Sequence, residues 1–193
     1  MAQSKPTLVI VTGPPASGKT SIVKNMAESL GLPLFTKDGI KELFADALGD
    51  GAHDHASDLG KGSQLQLIAT ARELIRSGHG VVIESFFHRG ITEPQLEPLL
   101  EQANAVLVHV TANEDELVSR YAERMDDPSR HEIHNTDGTA EELRKLLQEG
   151  MGKPLDLDCP LIVLDTTDRE SNEHEVADLI REELQKNSAH AGE

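Results

Sequence analysis

Uninterrupted apolar runs alternate along the chain with segments whose apolar residues recur every three or four positions. Thr7-Leu8-Val9-Ile10-Val11-Thr12, Gly80-Val81-Val82-Ile83-Glu84-Ser85, Asn104 to Val110 and Leu161-Ile162-Val163-Leu164-Asp165 are runs of the first kind. They are short and rich in β-branched residues, the pattern of strands buried on both faces. Leu32-Pro33-Leu34-Phe35-Thr36 adds a shorter strand after the Gly31 stop. Between the runs, helical spacing predicts a helix after Thr20 to Leu30 and another from Ile40 to Leu48, with Ile40, Leu43, Phe44 and Ala47 on one face. Ser63 to Arg76 reads as a helix with Leu65, Leu67, Ile68, Ala71, Leu74 and Ile75 inward, and the polar stretch from Gly49 to about Gly60 reads as a loop. Thr92-Glu93-Pro94-Gln95 has a capping-box pattern with an early proline, and Asn113 with Glu116 caps a further helix. Thr139 to Gln148 and about Ser171 to Lys186 complete the set, with Asn187 onward expected to fray. Five strands alternating with helices predict an α/β fold: a doubly wound, mostly parallel sheet covered on both faces, in one domain of 193 residues.

The first strand runs straight into Gly13-Pro14-Pro15-Ala16-Ser17-Gly18-Lys19-Thr20, and a helix begins there. This G-x-x-x-x-G-K-T spacing between strand and helix is a phosphate-binding loop. The prolines have no N–H, so the anion-facing amides must come from Ala16, Ser17, Gly18, Lys19 and Thr20, where the helix N-terminus is already electropositive. Gly13, those five residues and Ser21 form the expected nucleotide-binding set. Lys19 would reach the β- and γ-phosphates, and the Thr20 hydroxyl is a hard oxygen ligand for magnesium. The ligands expected are therefore a nucleoside triphosphate and Mg2+.

The strand that ends at Glu84 supplies a carboxylate able to hold a magnesium-bound water beside Thr20. Lys37-Asp38-Gly39 follows the second strand at its carboxyl end, where open α/β sheets bind ligands; Asp38 also fits as a helix N-cap. Phe86-Phe87-His88-Arg89 should line an acceptor pocket, although Phe87 fits a core position equally well. Arg120 and Arg124 share one helix face, and the polar stretch from about 126 to 138, short of apolar anchors and carrying Arg130, reads as a lid closing on a transferring phosphoryl group. His109, inside an apolar strand, reads as a core histidine, and His131 with His134 make too weak a pair for a metal site. His53, Asp54, His55 and Asp58 read as parts of a solvated loop.

Composition narrows the partner. With 34 acidic against 18 basic residues and a net charge of -16, the chain is poorly suited to a polynucleotide backbone, which is held by clustered Lys and Arg. No nucleic acid and no membrane partner are expected, with the chain acting as a monomer or homodimer. The single Cys159 allows no internal disulfide and fits a reducing compartment; with no signal-like or spanning segment, a cytoplasmic location is expected.

Taken in order, GPPASGKT, LPLFTKDGIKELFADALG, VVIESFF, RYAER with SRH, and KPLDL before LIVLDTTD resemble the P-loop kinase group that includes zeta-toxin-like, gluconate, shikimate and chloramphenicol kinases, and within it the short AAA-like kinases of unassigned substrate. The resemblance implies a three-layer sandwich with a five-stranded sheet of order 2-3-1-4-5, ATP with magnesium as phosphoryl donor, and a lid between the fourth and fifth strands. By the same resemblance Asp38 takes the proton of the acceptor hydroxyl, Glu84 stands where many relatives have Asp, and Arg120, Arg124 and Arg130 are lid arginines. The leading expectation is a magnesium-dependent kinase of small-molecule hydroxyls. A polynucleotide 5′-hydroxyl kinase and a non-catalytic ATP-binding switch or ATPase are the competing readings.

Overall fold

A computed structural model of the chain describes residues 5–136, 138–168 and 173–190. Five parallel strands form one sheet in the order β2-β3-β1-β4-β5, as the resemblance implies: β1 Thr7–Thr12, β2 Leu34–Thr36, β3 Val81–Glu84, β4 Asn104–Thr111 and β5 Leu161–Asp165. Alternation along each strand divides the core in two. Leu8, Ile10, Val81, Ile83 and Leu107 face α3 (Ala56–Arg76) and α4 (Glu93–Leu100), where they meet Leu67, Ile68, Ala71, Leu96 and Leu99. Val9, Val11, Val82, Val106 and Val108 face α1 (Lys19–Leu30) and α7 (Glu173–His190), meeting Ile22, Val23, Met26, Val176 and Ile180. Each such aliphatic side chain taken out of water contributes roughly 1.5–3 kcal/mol before the entropy of ordering is subtracted. Register then fixes the top of the sheet: Val11 lies beside Glu84, Glu84 beside Thr36, and Thr12 beside His109. The loop after β1 is thereby flanked by the ends of β3 and β4.

Several sequence expectations are corrected. The stretch 49–60 is helical: a 3-10 turn over Gly49–His55 runs into α3, which starts at Ala56 rather than Ser63. Ala52 is buried there, so the turn carries an apolar anchor that its polar composition concealed. Helix α2 (Lys37–Leu48) is rotated from its expected pose, with Leu43 and Phe44 exposed and Lys41 and Ala45 buried. Leu65 of α3 is likewise exposed. The inward face of a helix at the rim is chosen by what packs against it, and here that includes a segment more than eighty residues downstream. No capping box forms at Thr92: its hydroxyl accepts from the His88 amide, and the Glu93 carboxylate accepts from the Gly90 and Asp156 amides. At the other end of the chain α7 continues to His190 instead of fraying at Asn187, while its expected start at Ser171 lies outside the described residues.

The lid is the main revision. Between α5 (Glu114–Met125) and α6 (Ala140–Gln148), residues Glu132–Thr136 form a 3-10 turn, and Ile133 is 1% exposed against Ala45 and Ala52. The segment is anchored on α2, not short of apolar contacts; Asp137, within the expected lid, lies outside the described residues.

Candidate active site

Backbone geometry shapes the loop. Gly13 has φ +146°, and a Cβ there would sit 1.9 Å from the Val110 carbonyl oxygen, so only glycine lets β1 turn this close to β4. Ala16 takes a left-handed φ of 64° despite its side chain, and Gly18, at φ 84°, occupies the N-cap of α1. Strain of this kind persists where surrounding structure enforces it. The Ser17 amide closes a turn on the Pro14 carbonyl, and its own carbonyl accepts from Thr166 Oγ1 at 2.9 Å. Lys19 Nζ donates to the Pro14 carbonyl at 2.8 Å, which folds the lysine back across the loop.

Two cavities adjoin the loop. One, of about 300 Å3, is lined by Ala16, Gly18, Lys19, Thr20, Ser21, Arg120 and Arg124. The other, of about 240 Å3, includes Lys37, Asp38, Glu84, Ser85, Phe86, His88, Tyr121, Arg130 and Leu146 in its wall. Lys19, Thr20 and Arg124 belong to both and form the partition between them. Leu146 also borders a wider cleft of about 660 Å3, lined by Lys41, Ser57, Glu142, Lys145 and Glu149 among others.

Most of the expected site residues are thus brought together, with distinct roles. Gly13 and Ser17 line neither cavity and act by shaping the loop. Asp38 sits in the first turn of α2 with its carboxylate 3.5 Å from Lys37 Nζ, and the helix cap is Thr36, whose hydroxyl accepts from the Gly39 amide. Arg120 is largely committed elsewhere: Nε donates to Glu116 at 2.7 Å and the other nitrogens to Thr166 and Thr167, tying α5 to the end of β5. Arg130 lies over the second cavity with its guanidinium against the Met125 thioether.

Two expected acceptor contacts are corrected. Phe87 is 1% exposed in the core beneath β3, its amide bonded to Thr12 Oγ1, and cannot touch a ligand; Phe86 is the neighbour that faces the cavity. Consecutive residues leaving a strand point to opposite sides, and the side chosen was not legible from composition. Arg89 turns away to the Pro154 carbonyl at 2.9 Å and to Asp156, fastening the turn after β3 to the connection before β5. His88 does line the cavity, with its ring 4.6 Å from that of Phe86. Tyr121, Leu146, Ser85 and Thr166 escaped the sequence reading. Tyr121 sits beside Arg120 in RYAER, and Thr166 directly follows an apolar strand, which are the signals that could have flagged them.

Electrostatics concentrates on Lys19 and Glu84. Burial pushes the Lys19 ammonium below its ordinary value, opposed by the nearby Glu84 and Asp38 carboxylates. Burial pushes the Glu84 carboxyl up, opposed by Lys19. His88 is held below its usual range by burial and by Lys37, so its ring is neutral near pH 7. The pair Thr20 and Glu84 fits magnesium: a hydroxyl and a buried carboxyl that would gain from a cation line the same cavity.

A protein-family model described as an AAA domain matches residues 9–148. The chain belongs to this family of P-loop kinases. A candidate kinase from Chloroflexus aurantiacus J-10-fl is 29% identical, with a TM-score of 0.83 over 93% of this chain and 99% of that one. A sugar kinase from Janibacter sp. HTCC2649 (15% identity, TM-score 0.61, 93% and 95% covered) and a gluconokinase from Sinorhizobium meliloti 1021 (17%, 0.58, 97% and 97%) share the fold. No curated protein matches the sequence. The P-loop kinase fold carries nucleotide binding with it. No helix among the described residues is long and apolar enough to cross a membrane.

Proposed function

We propose that this chain is an ATP-dependent phosphotransferase that passes the γ-phosphoryl group to a hydroxyl of a small molecule. The observation that carries the reading is the shared partition: a phosphate-side cavity and a second cavity with its own carboxylate meet at Lys19, Thr20 and Arg124. A phosphoryl group crossing between them would be surrounded by cations throughout, which is what a loose, in-line transfer requires.

The α1 amides and Lys19 hold the donor phosphates, the lysine exchanging the Pro14 carbonyl for phosphate oxygens. Thr20 and Glu84 would hold magnesium, which would supply charge neutralisation to the donor phosphates. Asp38 accepts the proton of the acceptor hydroxyl as its oxygen bonds to phosphorus and the bond to the bridging oxygen of the leaving diphosphate breaks. Arg124 and Arg130 face the equatorial oxygens, and Arg120 keeps α5 in place. Phe86 and the neutral His88 offer an uncharged aromatic platform for the acceptor, whose remainder can extend past Leu146.

The test is incubation with magnesium ATP and a panel of hydroxylated metabolites and antibiotics, followed by phosphorus NMR. A new phosphomonoester resonance with stoichiometric ADP is expected. Inorganic phosphate as the sole product would overturn transfer while leaving nucleotide binding. Asp38→Asn is expected to lower acceptor turnover by about 10²-fold or more with nucleotide affinity within about twofold; unchanged turnover would remove Asp38 as the base.

A further inference from the structure

The 3-10 turn at Glu132–Thr136 and helix α2 are joined by contacts of two kinds. Ile133 packs with Ala45 and Ala52 in a small core of its own, separate from the two that flank the sheet, with Ala56 and Leu59 against it. Around that core lie imidazole–carboxylate pairs: His134 Nε2 to Glu42 Oε1 at 2.9 Å, His131 Nε2 to Asp46 Oδ1 at 3.1 Å, and His53 to Glu132 at 3.9 Å. Glu42 and Asp46 are one turn apart on α2 and present one face to the two histidines. The His134 side chain is only 2% exposed, so separating it from Glu42 would cost a buried hydrogen bond. The more exposed His131 and His53 pairs contribute far less.

Asp38 lies one turn before Glu42 on α2, and Arg130 lies just ahead of His134 on the other partner of this junction. Both line the 240 Å3 cavity. We propose that Glu42 and His134 are positioning residues that yoke the 130–136 segment to α2, so that Arg130 and Asp38 reach the reacting atoms as one body. The roles of Asp38 and Arg130 rest on the phosphotransferase reading; the yoke itself does not. A nucleotide that draws Arg130 inward then carries α2 with it and tightens the acceptor site, and an acceptor tightens the nucleotide site by the same factor.

The test is hydrogen–deuterium exchange on the full chain, with and without magnesium and a non-hydrolysable ATP analogue. In the wild type, amides of 37–48 and of 130–136 should gain protection together. In Glu42→Ala and His134→Ala, the analogue should still protect 130–136 while its effect on 37–48 falls about tenfold, and Glu42→Gln, which keeps a hydrogen-bonding partner for His134, should restore it. For turnover, Glu42→Ala should raise the acceptor KM at saturating ATP about tenfold and the ATP KM at saturating acceptor by a similar factor, while analogue affinity without acceptor stays within about twofold. Protection of 37–48 that persists in both disrupting variants overturns the yoke. If calorimetry shows that the analogue does not bind the wild type, the nucleotide reading fails and the yoke is judged without ligand: Glu42→Ala must then speed exchange in 37–48 and 130–136 alike, and a change confined to one segment overturns it.

Discussion

The phosphate loop and the wall of the 240 Å3 cavity beside it are built in different ways. The loop is local: Gly13 through Ser21 are contiguous, and their conformation follows from one glycine pressed against Val110, one left-handed alanine and a lysine folded onto Pro14. That wall is assembled from Asp38, Ser85, Phe86, His88, Tyr121, Arg130 and Leu146, which come from separate elements and meet through strand register and the α2 junction. A local device survives changes elsewhere; an assembled one inherits every error in packing.

The sharpest way to test that contrast is Lys19→Ala. It should reduce turnover by about 10³-fold or more, because the charge on the transferring group loses its nearest cation. Thermal stability should change little, since a buried ammonium held below its ordinary value contributes no net stabilisation near neutral pH. A large fall in melting temperature would show that the loop is structurally coupled to the wall after all.

On the assembled side, Phe87→Ala should cost about 3–5 kcal/mol in denaturant unfolding, as a buried aromatic leaves a cavity. Phe86→Ala should leave stability nearly unchanged and raise the acceptor KM. Equal effects at the two positions would dissolve the distinction between core and wall drawn at the end of β3.

His109 probes the junction between the regions. Burial, helped by Lys19, lowers its pKa from 6.5 to about 4. The folded state therefore resists protonation that the unfolded chain accepts: this contribution is fully present above pH 6.5 and lost as the pH falls to about 4. At about 1.36 kcal/mol per unit the loss is no more than about 3.4 kcal/mol. His109→Gln should remove that part of the slope from urea unfolding measured across this window, and an unchanged slope would exclude His109 as its source.

The smallest effect expected is on metal affinity. Because burial raises the Glu84 carboxyl, magnesium binding in the presence of nucleotide should strengthen as the pH rises through that raised value and the carboxylate forms. Glu84→Gln should flatten the dependence in a magnesium titration followed by nucleotide fluorescence. A flat wild-type profile would place the metal away from Glu84.

The fold and the loop were legible because they are written in short-range patterns. Four apolar runs rich in β-branched residues leave few options but buried parallel strands, and G-x-x-x-x-G-K-T between a strand and a helix places amides, ammonium and hydroxyl within one turn. The sheet order came from the resemblance, not from those runs.

Orientation and pairing were decided only by tertiary structure. Nothing in Phe86-Phe87 says which ring enters the core, nothing in Arg89 announces Pro154 as its partner, and the apolar face of α2 was misjudged because Ile133 and His134, far along the chain, select Ala45 and Glu42. The physical reason is reach. Backbone propensity and periodicity act over a few residues, whereas the cavity wall depends on contacts between segments distant in sequence, whose energies exist only once the sheet has brought those segments together.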